Sequence, residues 1–163
     1  EVHPVELGRH MGAHLAARTS GHLLPFLDMQ YLYGLARAGR PEADALMRHI
    51  EHHATHAAPG ARDAWRRVAL PASQGLLAHA RGDWPRAVDA MGNALPRLVE
   101  IGGSHAQRDL FAQVYLDALV RGGQLGGAQH LLQQAVNSQP ESRRLKRQAA
   151  QVYAALGLKE INP

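Results

Sequence analysis

The chain contains no cysteine, which excludes a disulfide framework, thiolate catalysis and cysteine-ligated zinc together and leaves the redox compartment open. Aromatic residues make up 5% of its 163 positions, and β-branched residues are sparse, so the raw material of sheets is thin. Alternating apolar and polar runs of strand period are missing. No apolar stretch reaches the roughly 18 residues needed to span a bilayer as a helix.

What remains is helix-forming. The chain is 45% hydrophobic and 20% charged, its apolar residues are mostly Ala and Leu, and its length suits a single globular domain. The net charge of +4 comes from arginines spread through every segment and not gathered into one stripe, which argues against a nucleic-acid partner. The one dense patch, Arg143, Arg144, Lys146 and Arg147, reads as the solvated face of a terminal helix.

Apolar residues recur at three- and four-residue spacing almost throughout, as in Leu32, Leu35, Ala36 and again in Leu46, Met47, Ile50. The spacing predicts an all-α fold with helices near 5–18, 24–38, 41–57, 61–81, 84–101, 104–121, 124–138 and 141–156. Pro25, Pro41 and Pro85 sit near helix starts, while Gly39, Gly60, Gly82, Gly123 and Gly157 sit at or after helix ends. Short turns between long amphipathic helices make antiparallel hairpins, here 24–57, 61–101 and 104–138, followed by a terminal helix over 141–156. Pro71 lies inside the apolar stretch "AWRRVALPASQGLLAHA", so a kink or a division into two helices is expected there.

The turn glycines also set a repeat. Two, five, nine and twelve residues beyond Gly82 stand Trp84, Ala87, Met91 and Ala94, and the same offsets from Gly123 give Leu125, Ala128, Leu132 and Ala135. Gly75 and Ala78 before Gly82 correspond to Leu116 and Leu119 before Gly123. The register extends to Gly39, with Ala43, Met47 and Ile50 arriving one place early, and to Gly157, giving glycine spacings of 43, 41 and 34 residues. "RGDWPRAVDAMGNAL" resembles the turn and second helix of a tetratricopeptide repeat, and Pro140 falls where that family places its closing proline. The resemblance implies an α-solenoid of stacked antiparallel hairpins over residues 1–163, whose leftover groove binds partners. The opening "VELGRHMGAHLAART" reads as an orphan second helix over 5–18 whose partner helix would lie upstream, so a longer array is expected.

"IGGSHAQRDLF", residues 101–111, is the stretch most like a site. Ser104 and Gln107 have the S-x-x-Q spacing of a capping box, Gly102 and Gly103 permit a tight reversal, and Leu110 with Phe111 opens the apolar face of the next helix. A Ser-His triad fails because neighbouring residues at a helix start point apart and no nucleophile elbow surrounds them. A phosphate loop fails for want of a lysine and a preceding strand. With "FLDMQYLYGLARAGR" upstream and "LLQQAVNSQPESRRLKR" downstream, this stretch resembles the C-terminal part of the tetratricopeptide repeat protein 38 family over most of 24–157. Gly102, Gly103, Ser104, Gln107, Arg108, Asp109 and Phe111 match its most recognisable segment. Family members carry Asn then His where this chain has Leu27 and Gln30. The resemblance implies an interaction role and not a reaction, with Arg108 and Asp109 either in a buried ionic network or lining a groove.

Eleven histidines raise a metal alternative. His49, His53 and His56 share one helix face, and His10 with His14 makes a second pair at metal-clasping spacing. The metalloprotease pattern H-E-x-x-H is absent, because Ile50 stands between His49 and Glu51. Trp65 and Trp84 are expected in the core. The sequence thus points to a non-catalytic, cytoplasmic scaffold for a protein or peptide, with no cofactor and no membrane partner. Homodimerisation through the apolar end face of the stack is open to it. The competing readings are an enzyme or ligand site around Ser104–Asp109, or a histidine metal site.

Overall fold

The computed structural model describes residues 25–158. The expected helix over 5–18, with its His10–His14 pair, lies outside them. In chain order come α1 (Pro25–Arg37), α2 (Glu42–His56), α3 (Pro59–Ala64), α4 (Leu70–Ala80), α5 (Trp84–Gly92), α6 (His105–Arg121), α7 (Leu125–Ser138) and α8 (Arg143–Ala155). A π turn occupies Trp65–Ala69 and a 3-10 segment Leu95–Ile101. The fold is all-α, with no strand among the described residues, and none of their helices is long and apolar enough to cross a membrane.

Four helix ends share one geometry. Gly39, Gly82, Gly123 and Gly157 hold φ between +65° and +79°. At each, the glycine N–H donates to the carbonyl three residues back and the next N–H to the carbonyl five back: Gly39 to Ala36 with Arg40 to Leu35, Gly82 to His79 with Asp83 to Ala78, Gly123 to Val120 with Gln124 to Leu119, and Gly157 to Ala154 with Leu158 to Tyr153. This Schellman closure satisfies carbonyls that a helix end otherwise leaves open, and it needs the left-handed backbone that glycine adopts without a Cβ clash. The glycines that set the sequence repeat therefore make the same turn.

The first three of these turns join helices that pack on each other, α1 on α2, α4 on α5 and α6 on α7; α7 also packs on α8, α1 on α4 and α5 on α6. The core is correspondingly serial. Leu32, Leu35, Leu46, Met47, Ile50 and Trp65 form one cluster, Phe26, Met29, Leu76, Met91, Leu98 and Phe111 the next, and Leu116, Leu119, Leu132, Leu145 and Val152 the last. Small residues allow the close crossings between them. Ala78, Ala87 and Ala118 meet at one point, and a Cβ on Gly75 would collide with Met91 Cγ.

Two prolines interrupt the helices around them: the division expected at Pro71 falls just ahead of it, and the one at Pro96 is unexpected. Pro71 does not break the helix at its own position; the backbone ahead of it widens into the π turn, where the Leu70 N–H reaches back to the Trp65 carbonyl. The proline brings no N–H and needs room against the carbonyl four residues back, and a widened turn makes that room. Further on, the single helix expected over 84–101 ends at Gly92 and resumes as the 3-10 segment. Pro96 would meet the Gly92 carbonyl in a continuous α-helix, so the chain turns tighter, with the Ala94 N–H on Met91 and the Arg97 N–H on Ala94.

Two apolar assignments also change. Trp65 is buried as expected, but Trp84 is only half-buried, its ring set edge-on to His79 and covered by Arg121. Phe111 is 1% exposed whereas Leu110 is 39% exposed, because only Phe111 points back toward α1.

Candidate binding groove

The double glycine and the capping box start α6 beside a groove that Arg108 and Asp109 line and that Gly102, Gly103, Ser104 and Gln107 do not. Gly102 closes the 3-10 segment at φ +85°, ψ −141°, and Gly103 follows at φ +80°, so the chain reverses within two residues. Ser104 then starts α6: its Oγ accepts from the Gln107 N–H at 3.3 Å, and its own N–H donates to Gln107 Oε1 at 2.8 Å. Both bonds satisfy donors left open at a helix start. Ser104→Ala is expected to lower stability by about 1 kcal/mol, read as a drop in thermal midpoint that Ser104→Asp largely restores. An unchanged midpoint would contradict the cap.

The remaining residues of this segment diverge. The Arg108 guanidinium donates back to the carbonyls of Gly102 and Gly103. Asp109 turns the other way, accepting from Gln113 Nε2 at 2.6 Å and, on both oxygens at 3.1 Å, from Arg144 Nη2 of α8. The side chains of Arg144 and Asp109 are 36% and 43% exposed, so of the two arrangements expected for Arg108 and Asp109 the buried ionic network is not formed: both line a groove, and Asp109 makes a solvent-accessible tie between α6 and α8. A pair so exposed contributes register more than stability.

Between the 3-10 segment, α6, α7 and the start of α8 lies a groove of about 700 Å³. Leu95, Val99 and Leu131 supply apolar lining, and Arg108, Asp109 and Arg144 supply charge. Val99 is 64% exposed, a large apolar side chain left uncovered at the rim. Of the basic patch, Arg143, Lys146 and Arg147 face solvent, while Arg144 turns into the groove.

A second polar group escaped the sequence reading. His79, 4% exposed in the last turn of α4, lies with Nε2 2.8 Å from Asp117 Oδ2 of α6 and Nδ1 3.0 Å from the Tyr33 hydroxyl of α1. Arg121 Nε also bonds Asp117 Oδ2, at 2.8 Å. Burial pushes the Asp117 carboxyl up, but the hydrogen bonds and charges of Arg121 and His79 outweigh it and hold the group below the ordinary carboxylate value. Burial raises the Tyr33 phenol, aided by the Asp117 charge and opposed by Arg37 and Arg121. One signal was available: Asp109, Gln113, Asp117 and Arg121 recur every four residues and make a polar stripe along α6.

Of the histidines proposed as metal ligands, His49, His53 and His56, the last two take separate partners. His53 sits edge-on to Trp65 at 4.5 Å, and burial first, then the His49 and His52 charges, lower its affinity for a proton. His56 stacks on His52 at 4.0 Å and its Nδ1 bonds the His52 carbonyl. Among the described residues no three His, Asp or Glu side chains converge on a metal-sized centre. Compared with known proteins, the chain matches no protein-family model and no solved structure.

Proposed function

We propose that this chain is a tetratricopeptide-like stack of antiparallel helical hairpins that binds a protein or peptide segment and catalyses no reaction, its later repeats resembling the tetratricopeptide repeat protein 38 family. The groove beside α6 carries the reading. Its apolar lining accepts a large aliphatic or aromatic side chain, and Arg108 and Arg144 at its wall suit a carboxylate on the same segment. The four equivalent Schellman turns and the serial core support the repeat architecture, because units that bury their apolar faces only against neighbours leave extended grooves between them.

The test is a photo-crosslinking amino acid at Val99, activated in cells that express the full chain. Polypeptide adducts are expected, and they should disappear with Leu131→Glu or with Arg108→Glu while the thermal midpoint stays within a few degrees. Adducts indifferent to both substitutions, or none at all, would overturn the proposal. An adduct of twice the chain's own mass would identify the occupant as a second copy.

A further inference from the structure

A second opening lies between α6 and α8, a slot of about 200 Å³. Leu116, Val120, Val152 and Ala155 give it an apolar lining, and Gln113, Gln148 and Gln151 give it carboxamides. We propose that the slot and the groove are two subsites for one extended, acidic polypeptide segment, which seats an aliphatic side chain in the slot and, four residues away, a larger apolar side chain in the groove.

The two openings belong to one seam. Asp109 faces Arg144 across it, 35 residues apart, and the same offset relates Gln113 to Gln148, Asp117 to Val152 and Val120 to Ala155. The first pair lines the groove and the other three line the slot, so α6 and α8 run in the same direction with matching rows of side chains. A bar of hydrogen bonds divides the seam: Gln113 Nε2 donates to Asp109 at 2.6 Å, Arg144 Nη2 to Asp109 at 3.1 Å, and Arg144 Nη1 to Gln148 Oε1 at 3.5 Å. Two members of the bar line each opening, and a single layer of polar side chains therefore separates them.

The slot is open because α8 brings no ring to Asp117. Where α1, α4 and α6 meet, Tyr33 and His79 reach Asp117 and fill the junction. On α8 the residue six positions before the turn glycine, where α1 has Tyr33, is Gln151, and the end of the slot is held by Ala155.

Three properties of the seam select its occupant. The first is free hydrogen-bonding capacity. A carboxylate only accepts and a guanidinium only donates, so the bar fixes both carboxamides, leaving the Gln113 carbonyl and the Gln148 amide for a ligand. An extended segment has backbone N–H and C=O groups to offer them, whereas a helix has already paired its own. The second is spacing. The α6 residues that line the two openings are centred about eight positions apart, or about 12 Å. An extended chain covers that distance in about four residues, and side chains four apart on it point to the same face. The third is charge. Arg144 is matched by Asp109, but Arg108 bonds only the Gly102 and Gly103 carbonyls, through Nη1, and meets no carboxylate among the described residues. Its remaining donors suit an acidic residue beside the larger anchor.

Crosslinking from both subsites tests the inference, with a photo-reactive amino acid at Val99 for the groove or at Gln151 for the slot, each in the full chain expressed in cells. Mass spectrometry is expected to map both adducts to one partner segment, three to five residues apart. A labelled synthetic peptide of that segment is then titrated against the purified full chain by fluorescence anisotropy. Ala155→Trp, which fills the slot from an exposed position, should weaken binding at least tenfold with little change in thermal midpoint. One residue inserted between the two anchors of the peptide should cost a similar factor, because it turns the second anchor to the opposite face. Gln148→Glu, which replaces the free amide donor by an acceptor, should weaken binding at least threefold. Adducts in two different segments, adduct sites seven or more residues apart, or a peptide indifferent to Ala155→Trp or to the insertion would each overturn the inference. It rests on the groove reading above, and the two fail differently: an adduct from Val99 with none from Gln151 removes the slot and leaves the groove, whereas no adduct from Val99 removes both.

Discussion

Gly103→Ala is expected to destabilise the chain by about 2–6 kcal/mol, from two separate causes. A residue with a Cβ at φ +80° is strained by about 1–3 kcal/mol. The added methyl also meets the Phe26 ring at 2.6–2.8 Å, an overpacking that typically costs about 1–3 kcal/mol. Gly102→Ala separates the two. Its φ of +85° is as demanding, but a Cβ there meets nothing within 4 Å, so only the backbone cost of about 1–3 kcal/mol applies. Urea unfolding of both variants should therefore place Gly103→Ala clearly below Gly102→Ala. Equal losses would mean that Phe26 is not seated against the loop. Against a total of about 5–15 kcal/mol for a domain of this kind, the larger loss approaches unfolding.

The loop that looked most like a site is thus, first, a piece of architecture. Its role as helix start was legible because capping boxes and glycine turns are written within a few adjacent residues. Its packing on Phe26, 77 positions earlier in the chain, was not, since nothing local marks which distant side chain fills a gap. The helices and the Schellman ends were read from periodicity for the same local reason. Pro96 shows the opposite error: an amphipathic pattern continued across it, and the missing N–H overruled the pattern.

Charge was less legible than shape. Arg108 and Asp109 are neighbours in sequence, and neighbours on a helix point about 100° apart, so each found a different partner. Asp109 is tied to Arg144, 35 residues away. Tyr33, His79 and Asp117 are separated by 46 and 38 residues, yet the repeat register relates them. Tyr33 and Asp117 each stand six positions before their turn glycine, and His79 stands three before its own. In a stack of repeats, residues at related offsets on successive first helices are neighbours in space. Comparing polar residues by offset, in addition to apolar ones, would have found the group.

Phe111→Ala is expected to remove about 3–5 kcal/mol, the usual cost of deleting a buried aromatic ring. Phe111 is 1% exposed and meets Phe26 edge-on at 5.4 Å and 82°, a geometry that adds to simple burial. Phe111 and Gly103 thus hold the Phe26 ring from two sides, and the two positions must couple through it. Phe111→Leu is the variant to use in a cycle, since it keeps part of the volume and leaves the chain folded. With leucine at 111 the Phe26 ring gains room to retreat, so Gly103→Ala should cost less than it does in the parent chain, by about 0.5–3 kcal/mol, the range found for residues that share a partner. Strict additivity would mean that the loop and the α1–α6 contact are independent. A coupling of that size would mean instead that Gly103 and Phe111 share the Phe26 ring, so that the turn whose carbonyls hold Arg108 is seated on α1 through one aromatic side chain.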